Sequence, residues 1–172
     1  VGINRSAVTI KNVEFTIIER AFQNGFAKPR IPKQRTGKKV AVIGSGPAGL
    51  ACADELNHQG HQVTVYEKNE FIGGLLALGI PNFKLEKPII ERRLEIMRRE
   101  GVEFKTRVHV GVGISAKKLA GEYDAIVLAG GAENQRDLPI PGRELRGIYQ
   151  AMTYLSQQNR REKHPIQMYK AY

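Results

Sequence analysis

The feature that most restricts this chain is a short apolar run, Val40-Ala41-Val42-Ile43, that breaks at once into Gly44-Ser45-Gly46-Pro47-Ala48-Gly49. Four consecutive apolar residues read as a strand covered on both faces, the kind found in parallel sheets. A helical stretch through Leu50, Ala53 and Leu56 follows and stops near Gly60. A second strand, Val63-Thr64-Val65-Tyr66, then ends on Glu67, completing a βαβ unit. Gly-x-Gly-x-x-Gly spacing alone arises by chance in glycine-rich loops. Between a strand and a helix, with a second strand ending in an acid, it is a dinucleotide-binding fingerprint. Gly44 permits the sharp turn, Gly46 lets the backbone approach a pyrophosphate, and Gly49 lets the helix pack against the strand. The helix N-terminus offers free N–H groups and partial positive charge to the phosphates. Glu67 falls about 20 residues on, where a carboxylate can accept both hydroxyls of an adenine ribose. The loop lacks Gly-Lys-Ser/Thr, which excludes an NTPase P-loop.

Glu67 favours an unphosphorylated ribose, hence NAD or FAD over NADP at this site, because a 2′-phosphate meets it as a like charge. Lys68 could offset that repulsion, although a residue directly after the acid more often lies over the adenine or in solvent. Ile72-Gly73-Gly74-Leu75, shortly after Glu67, discriminates further. A flavin site needs a second close backbone approach there, whereas an NAD-only dehydrogenase proceeds to its next helix. The alternative for Gly73-Gly74 is a flexible turn. Taken with Gly130-Gly131 after a strand, the pair favours FAD.

The rest of the chain divides into zones. Ile10, Val13, Ile17 and Ala21 recur at helical spacing within Val8–Phe22, with Thr9 as N-cap and Asn24-Gly25 as stop. Lys28 to Lys39 carries six basic residues and no acidic one, with Pro29 and Pro32, and reads as an extended linker. Phe71 to Pro81 reads as a loop lying against something. Pro88, Ile90, Leu94 and Met97 mark a helix to about Glu100. Strands are expected at Val102–Phe104, Arg107–Val110 and Ala125–Ala129. Helices are expected near Ser115–Ala120 and Tyr149–Gln157, and Arg160 to Tyr172 shows no periodicity.

Composition excludes several classes. With 41% hydrophobic and 26% charged residues the chain is neither disordered nor collagen-like. Its 172 residues suffice for one well-buried domain and are tight for two. No apolar run approaches the ~20 residues of a membrane helix, and nothing near Val1 resembles a signal peptide, so a soluble cytoplasmic protein is expected. The single cysteine, Cys52, cannot form an internal disulfide or hold an iron–sulfur cluster or structural zinc. His58, His61, His109 and His164 show no ligand spacing, so no metal site is expected. The net charge of +10 permits an acidic partner. The basic stretch is either a solvated connector or a docking strip for an acidic protein surface. Nucleic-acid binding is disfavoured, because no aromatic residues interleave with the basic run and no binding motif is present.

Val40 through Leu50, Ile72-Gly73-Gly74-Leu75, Gly79-Ile80-Pro81-Asn82-Phe83-Lys84-Leu85 and Arg136-Asp137-Leu138-Pro139-Ile140-Pro141-Gly142 together resemble the FAD half of the glutamate synthase small (beta) subunit family. Dihydropyrimidine dehydrogenase and the electron-bifurcating ferredoxin:NADP oxidoreductases share the module. Gly2-Ile3-Asn4 with Val8-Thr9-Ile10-Lys11 resembles the stretch after that family's iron–sulfur cysteines. The resemblance extends to about Asn159, and Arg136–Gly142 points to glutamate synthase over its relatives.

The resemblance implies that Gly44, Ser45, Gly46, Pro47 and Ala48 hold the FAD pyrophosphate and that Glu67 and Lys68 hold its adenosine. It implies that Gly74, Leu75 and Lys84 contact the rest of the cofactor. Val110, on a strand before the third helix, would offer backbone groups to the adenine. It also implies a parent in which NADPH reduces FAD and electrons pass through iron–sulfur clusters to a large subunit. The cluster cysteines would precede Val1 and an NADPH-binding domain would follow Asn159, leaving this chain inactive by itself. No residue is assigned a catalytic role. The expected fold is an α/β, Rossmann-like FAD-binding domain, a partial doubly wound sheet, at 39–159. A helical arm (1–27) and the basic linker (28–38) precede it, and a tail (160–172) follows. The alternatives are the FAD module of a related iron–sulfur oxidoreductase, or a truncated, non-catalytic nucleotide-binding module.

Overall fold

A computed structural model describes residues 2–4 and 6–163. The chain separates into two units, Val1–Arg30 and Ile31–Tyr172. The first is built on α1 (Ile10–Gln23), with Thr9 at the N-cap and the stop at Asn24. Asn24 N–H donates to Arg20 O, and Phe26 N–H to Ala21 O, closing the last turn. None of its residues is buried, and Ile10, Val13 and Ile17 all stay exposed.

The second unit is a four-stranded parallel sheet. Its strands are β1 (Lys39–Ile43), β2 (Gln62–Tyr66), β3 (Glu103–Lys105) and β4 (Ala125–Leu128), in the order β3-β2-β1-β4. After β1 the chain steps outward through β2 to β3, then returns to place β4 on the other side of β1. This reversal is the switch point at which doubly wound sheets open a crevice. The helices are α2 (Pro47–His58), α3 (Leu75–Leu78), α4 (Lys87–Arg99), α5 (Ala116–Glu122) and α6 (Ala151–Lys163).

Side-chain alternation divides the sheet between two cores. Val42, Val63 and Val65 face Ala53 of α2 and Ile90, Leu94 and Met97 of α4. Ala41 and Tyr66 face Leu119 of α5, with Ile43, Val110 and Ile126 around them. The buried run read in the sequence is therefore covered on both faces, as a parallel strand requires.

Four local expectations change. The glycine-rich stretch 71–81 contains the single-turn helix α3. The third strand lies one residue later than expected, at Glu103–Lys105. The expected strand Arg107–Val110 does not form. Arg107 has φ +59°, which breaks the extended run, and Val110 makes only an isolated bridge to Ile114. The last helix extends to Lys163, so Arg160 is helical, while 164–172 lie outside the described residues.

The basic stretch is not solvated throughout. Arg35 Nη1 donates to Asn57 Oδ1 (2.7 Å) and His61 O (2.8 Å), and its Nη2 donates to Glu100 O (2.8 Å). One guanidinium thus collects acceptors at the C-terminal ends of α2 and α4, where backbone carbonyls lack helical partners. R35M should lower unfolding stability by about 2 kcal/mol in urea titrations, since charged hydrogen bonds contribute ~1.5–3 kcal/mol. Exposed Lys33, changed to Ala, should stay within about 0.5 kcal/mol of wild type. Equal effects at the two positions would refute the clamp.

Candidate functional site

The candidate site is the switch point at the C-terminal end of β1, where the turns that follow β1, β2 and β4 meet. Ile43 passes into Gly44, whose N–H donates to Tyr66 O at 2.8 Å, while Ala129 N–H donates to Ile43 O at 2.8 Å. Gly44 has φ +106°, and a Cβ there would lie 2.3 Å from Ala129 O, so no side chain fits. A Cβ on Gly49 would lie 2.0 Å from Gly44 O, which is the close helix–strand approach its position in the fingerprint demands.

Gly46 differs from both. It has φ −64° and ψ 177°, which any residue adopts, and a Cβ there would meet nothing within 4 Å. The fold therefore makes no demand for glycine at this point, and the space beside it faces the crevice. α2 begins here with Pro47, which has no N–H, and no side-chain cap, so the N–H groups of Ala48 and Gly49 lie in the first turn, where a helix leaves its donors without helical acceptors. Pro47 and Ala48 are exposed at the mouth. The second glycine turn packs directly against the first. Gly74, at φ +52°, stands so near that a Cβ would lie 2.8 Å from Gly46 Cα.

A buried polar centre joins these turns. The Ser45 hydroxyl donates to Glu67 Oε2 (2.5 Å) and accepts from Gly73 N–H (3.0 Å). Ser45 N–H also donates to Glu67 Oε2 at 3.2 Å, while Asn69 donates its N–H and Nδ2 to Oε1, both at 2.8 Å. Burial pushes the Glu67 carboxyl up, but the donors from Ser45 and Asn69 outweigh it and hold the group below the usual carboxylate range. Glu67 is 4% exposed.

The other expected residues lie around this centre. Lys68, exposed, pairs with Glu133, which follows the turn after β4, so the pair spans β1 across the mouth. Leu75 is exposed at the start of α3, and Lys84 is exposed in a turn closed by its N–H to Pro81 O. Val110 packs in the α5-side core, two residues beyond Val108, whose N–H donates to Glu67 O. The structure thus brings Gly44–Gly49, Glu67 and Gly74 into one wall-to-wall arrangement, with Lys68 at its edge. Leu75 and Lys84 lie on the loop beyond it, and Val110 lies beneath the β2 exit.

Residues not signalled by the sequence support the same walls. Asn69 orients Glu67. From α6, Asn159 Nδ2 donates to Leu78 O (3.1 Å), and Arg160 reaches Asn69 Oδ1 (3.2 Å) and Glu70 Oε1 (3.4 Å). Nothing in the aperiodic stretch from Arg160 announces this return. At the other end of α2, His58 Nε2 lies 3.2 Å from Glu100 Oε1, and Arg93 holds Asp54 Oδ2 at 2.6 Å. Asp54, His58 and Glu100 thus gather the ligand types of a metal site, a grouping that the spacing of the histidines in the sequence does not show, with Arg93 bound to Asp54 beside it.

E67Q tests the polar centre. The folded carboxyl titrates below its ordinary 4.5, so its stabilising contribution is complete above about pH 4.5 and is lost as pH falls through the lower folded value. E67Q should be less stable than wild type by about 2 kcal/mol at neutral pH, with the two curves converging in acid. Melting temperatures measured across pH check this. A gap that does not narrow on acidification would refute the assignment.

Comparison with known proteins identifies the family. Residues 38–166 match the pyridine nucleotide-disulphide oxidoreductase family. The NADPH glutamate synthase small chain of Mycobacterium tuberculosis is 57% identical over 159 residues, covering 92% of this chain and 33% of that protein. That of Bacillus subtilis is 55% identical over 155 residues, covering 90% and 31%. The chain thus spans about a third of the length of these relatives. Among solved structures, FprA of M. tuberculosis in complex with NADPH superposes with a TM-score of 0.64 at 26% identity, covering 72% of this chain and 29% of that one. The 2-naphthoyl-CoA reductase complex gives a TM-score of 0.59 at 27% identity, covering 75% and 19%. The match of that family's model across residues 38–166, most of the chain, makes this chain a member of the pyridine nucleotide-disulphide oxidoreductase family.

Proposed function

We propose that this chain seats FAD in an NADPH-dependent glutamate synthase small subunit, in which electrons from NADPH pass by way of FAD towards iron–sulfur centres and a large subunit. Gly46 carries the reading, because its missing side chain serves nothing within the fold and leaves room for a ligand backbone at a helix N-terminus. The identity to glutamate synthase small chains supports the choice among flavin enzymes. FAD, when bound, supplies two-electron acceptance and stepwise electron release, chemistry no side chain here provides.

The chain's own residues bind and orient. The backbone of Gly44–Ala48 and the positive end of α2 take the pyrophosphate. Glu67, held ionised by Ser45 and Asn69, accepts from the adenosine ribose as the Asn69 side-chain donor gives way. Lys68 exchanges its Glu133 partner for the adenosine side of the site. Gly74, Leu75 and Lys84 line the path towards the flavin, and Val110 offers backbone groups near the adenine.

Titration of the chain with FAD, followed by quenching of flavin fluorescence, tests this. G46A places a methyl group in the crevice at a φ that alanine accepts. It should weaken FAD binding at least tenfold, roughly 1.4 kcal/mol, while changing unfolding stability by about 1 kcal/mol or less. G46A binding FAD as tightly as wild type would overturn the assignment.

A further inference from the structure

We propose that Lys87, at the start of α4, sets the second wall of the crevice. Its ammonium gathers carbonyls of the segment 73–85 and so fixes where Gly74, Leu75 and Lys84 face the cofactor; this rests on the FAD reading above. Lys87 is only 8% exposed. Its Nζ donates to Ile80 O (2.5 Å), to Leu76 O (3.2 Å) and, at the limit of bonding, to Leu85 O (3.5 Å). Its own N–H donates to Asn82 Oδ1 at 3.1 Å, so the residue is tied to the segment at both ends.

The need for a cation here follows from α3. A helix of one turn cannot satisfy its own C-terminal carbonyls. Leu75 O accepts from Gly79 and Ile80 N–H, which leaves Leu76 O, Ala77 O and Leu78 O to outside donors. Asn159 supplies the donor for Leu78 O, and Lys87 supplies the one for Leu76 O. Lysine is rarely buried, and an apolar residue would pack α4 equally well. What a lysine adds is three donors converging on carbonyls from both sides of the turn Gly79–Pro81. The turn is directly upstream of Lys84. At its other end α3 begins on Gly74, the residue against Gly46, with Gly73 bonded to Ser45. A shift of α3 is therefore a shift of the crevice wall. Burial pushes the Lys87 ammonium below the ordinary lysine range. Glu162 opposes that shift and Lys163 adds to it, both from α6.

The experiment compares the wild-type chain with K87M and K87Q by amide hydrogen exchange and by FAD titration, well below the melting temperature. Methionine keeps the length and apolar stem and removes the ammonium. Both variants should speed exchange of the amides in 73–85 at least about tenfold, and by more than those of β1 and β2, and weaken FAD binding about tenfold. In the wild type, exchange of the same amides, corrected for its intrinsic pH dependence, should rise between neutral pH and about pH 10 as the ammonium loses its proton. That arm decides the matter even if neither variant folds. Unchanged exchange in 73–85, or faster exchange with FAD affinity equal to wild type, overturns the proposal. Where the wild-type chain alone takes up no FAD, the exchange contrast decides whether Lys87 holds the wall, and the FAD arm is read on a longer chain that includes the segments flanking this one.

Discussion

The hydroxyl of Ser45, fully buried, holds together three segments distant in sequence: the first glycine turn, the acid at the end of β2 and the second glycine turn. It donates to Glu67 and accepts from Gly73 N–H, and a side chain of this size is the smallest that can do both. Within a low-dielectric interior such bonds are strong when complete and costly when broken. The approach of the second glycine turn to the first runs through that contact, which also supplies part of what keeps Glu67 ionised. A carboxylate buried this deeply would otherwise protonate. The donors from Ser45 and Asn69 keep it charged.

Around this centre the unit solves one recurrent problem, the carbonyls that helix ends leave without partners. Arg35 serves those after α2 and α4, and Asn159 and Lys87 serve α3. Each donor comes from an element remote in sequence from the carbonyl it meets or across a turn from it. Capping therefore also decides how the loops sit on the sheet. The glycine turns need such support because glycine contributes no side-chain packing of its own and loses more backbone freedom on folding than other residues.

Much of this was legible beforehand. Val40–Ile43, the fingerprint glycines, Val63–Tyr66 and the helical spacing of Ile90, Leu94 and Met97 mark their elements by local pattern, and the parallel βαβ unit follows from them. Arg107–Val110 has a strand's composition but not its geometry, because the left-handed φ of Arg107 turns the chain back towards β2. Arg35 looked like one of several solvated cations, since charge composition does not say which guanidinium finds three acceptors. Asn159 and Arg160 carried no periodic signal because their partners are loop atoms rather than a core face.

By itself, then, the sequence determined the βαβ unit, the position of the glycine turn and the acid that follows β2, since these depend on short-range sterics and on patterns of period two and 3.6. Only the tertiary structure decided which polar side chains would be buried and what they would hold. Ser45, Lys87 and Asn159 have no distinguishing pattern in the chain. Their roles arise where segments far apart in sequence leave carbonyls and a carboxylate that water cannot reach, and a buried polar group must find its partner within the protein.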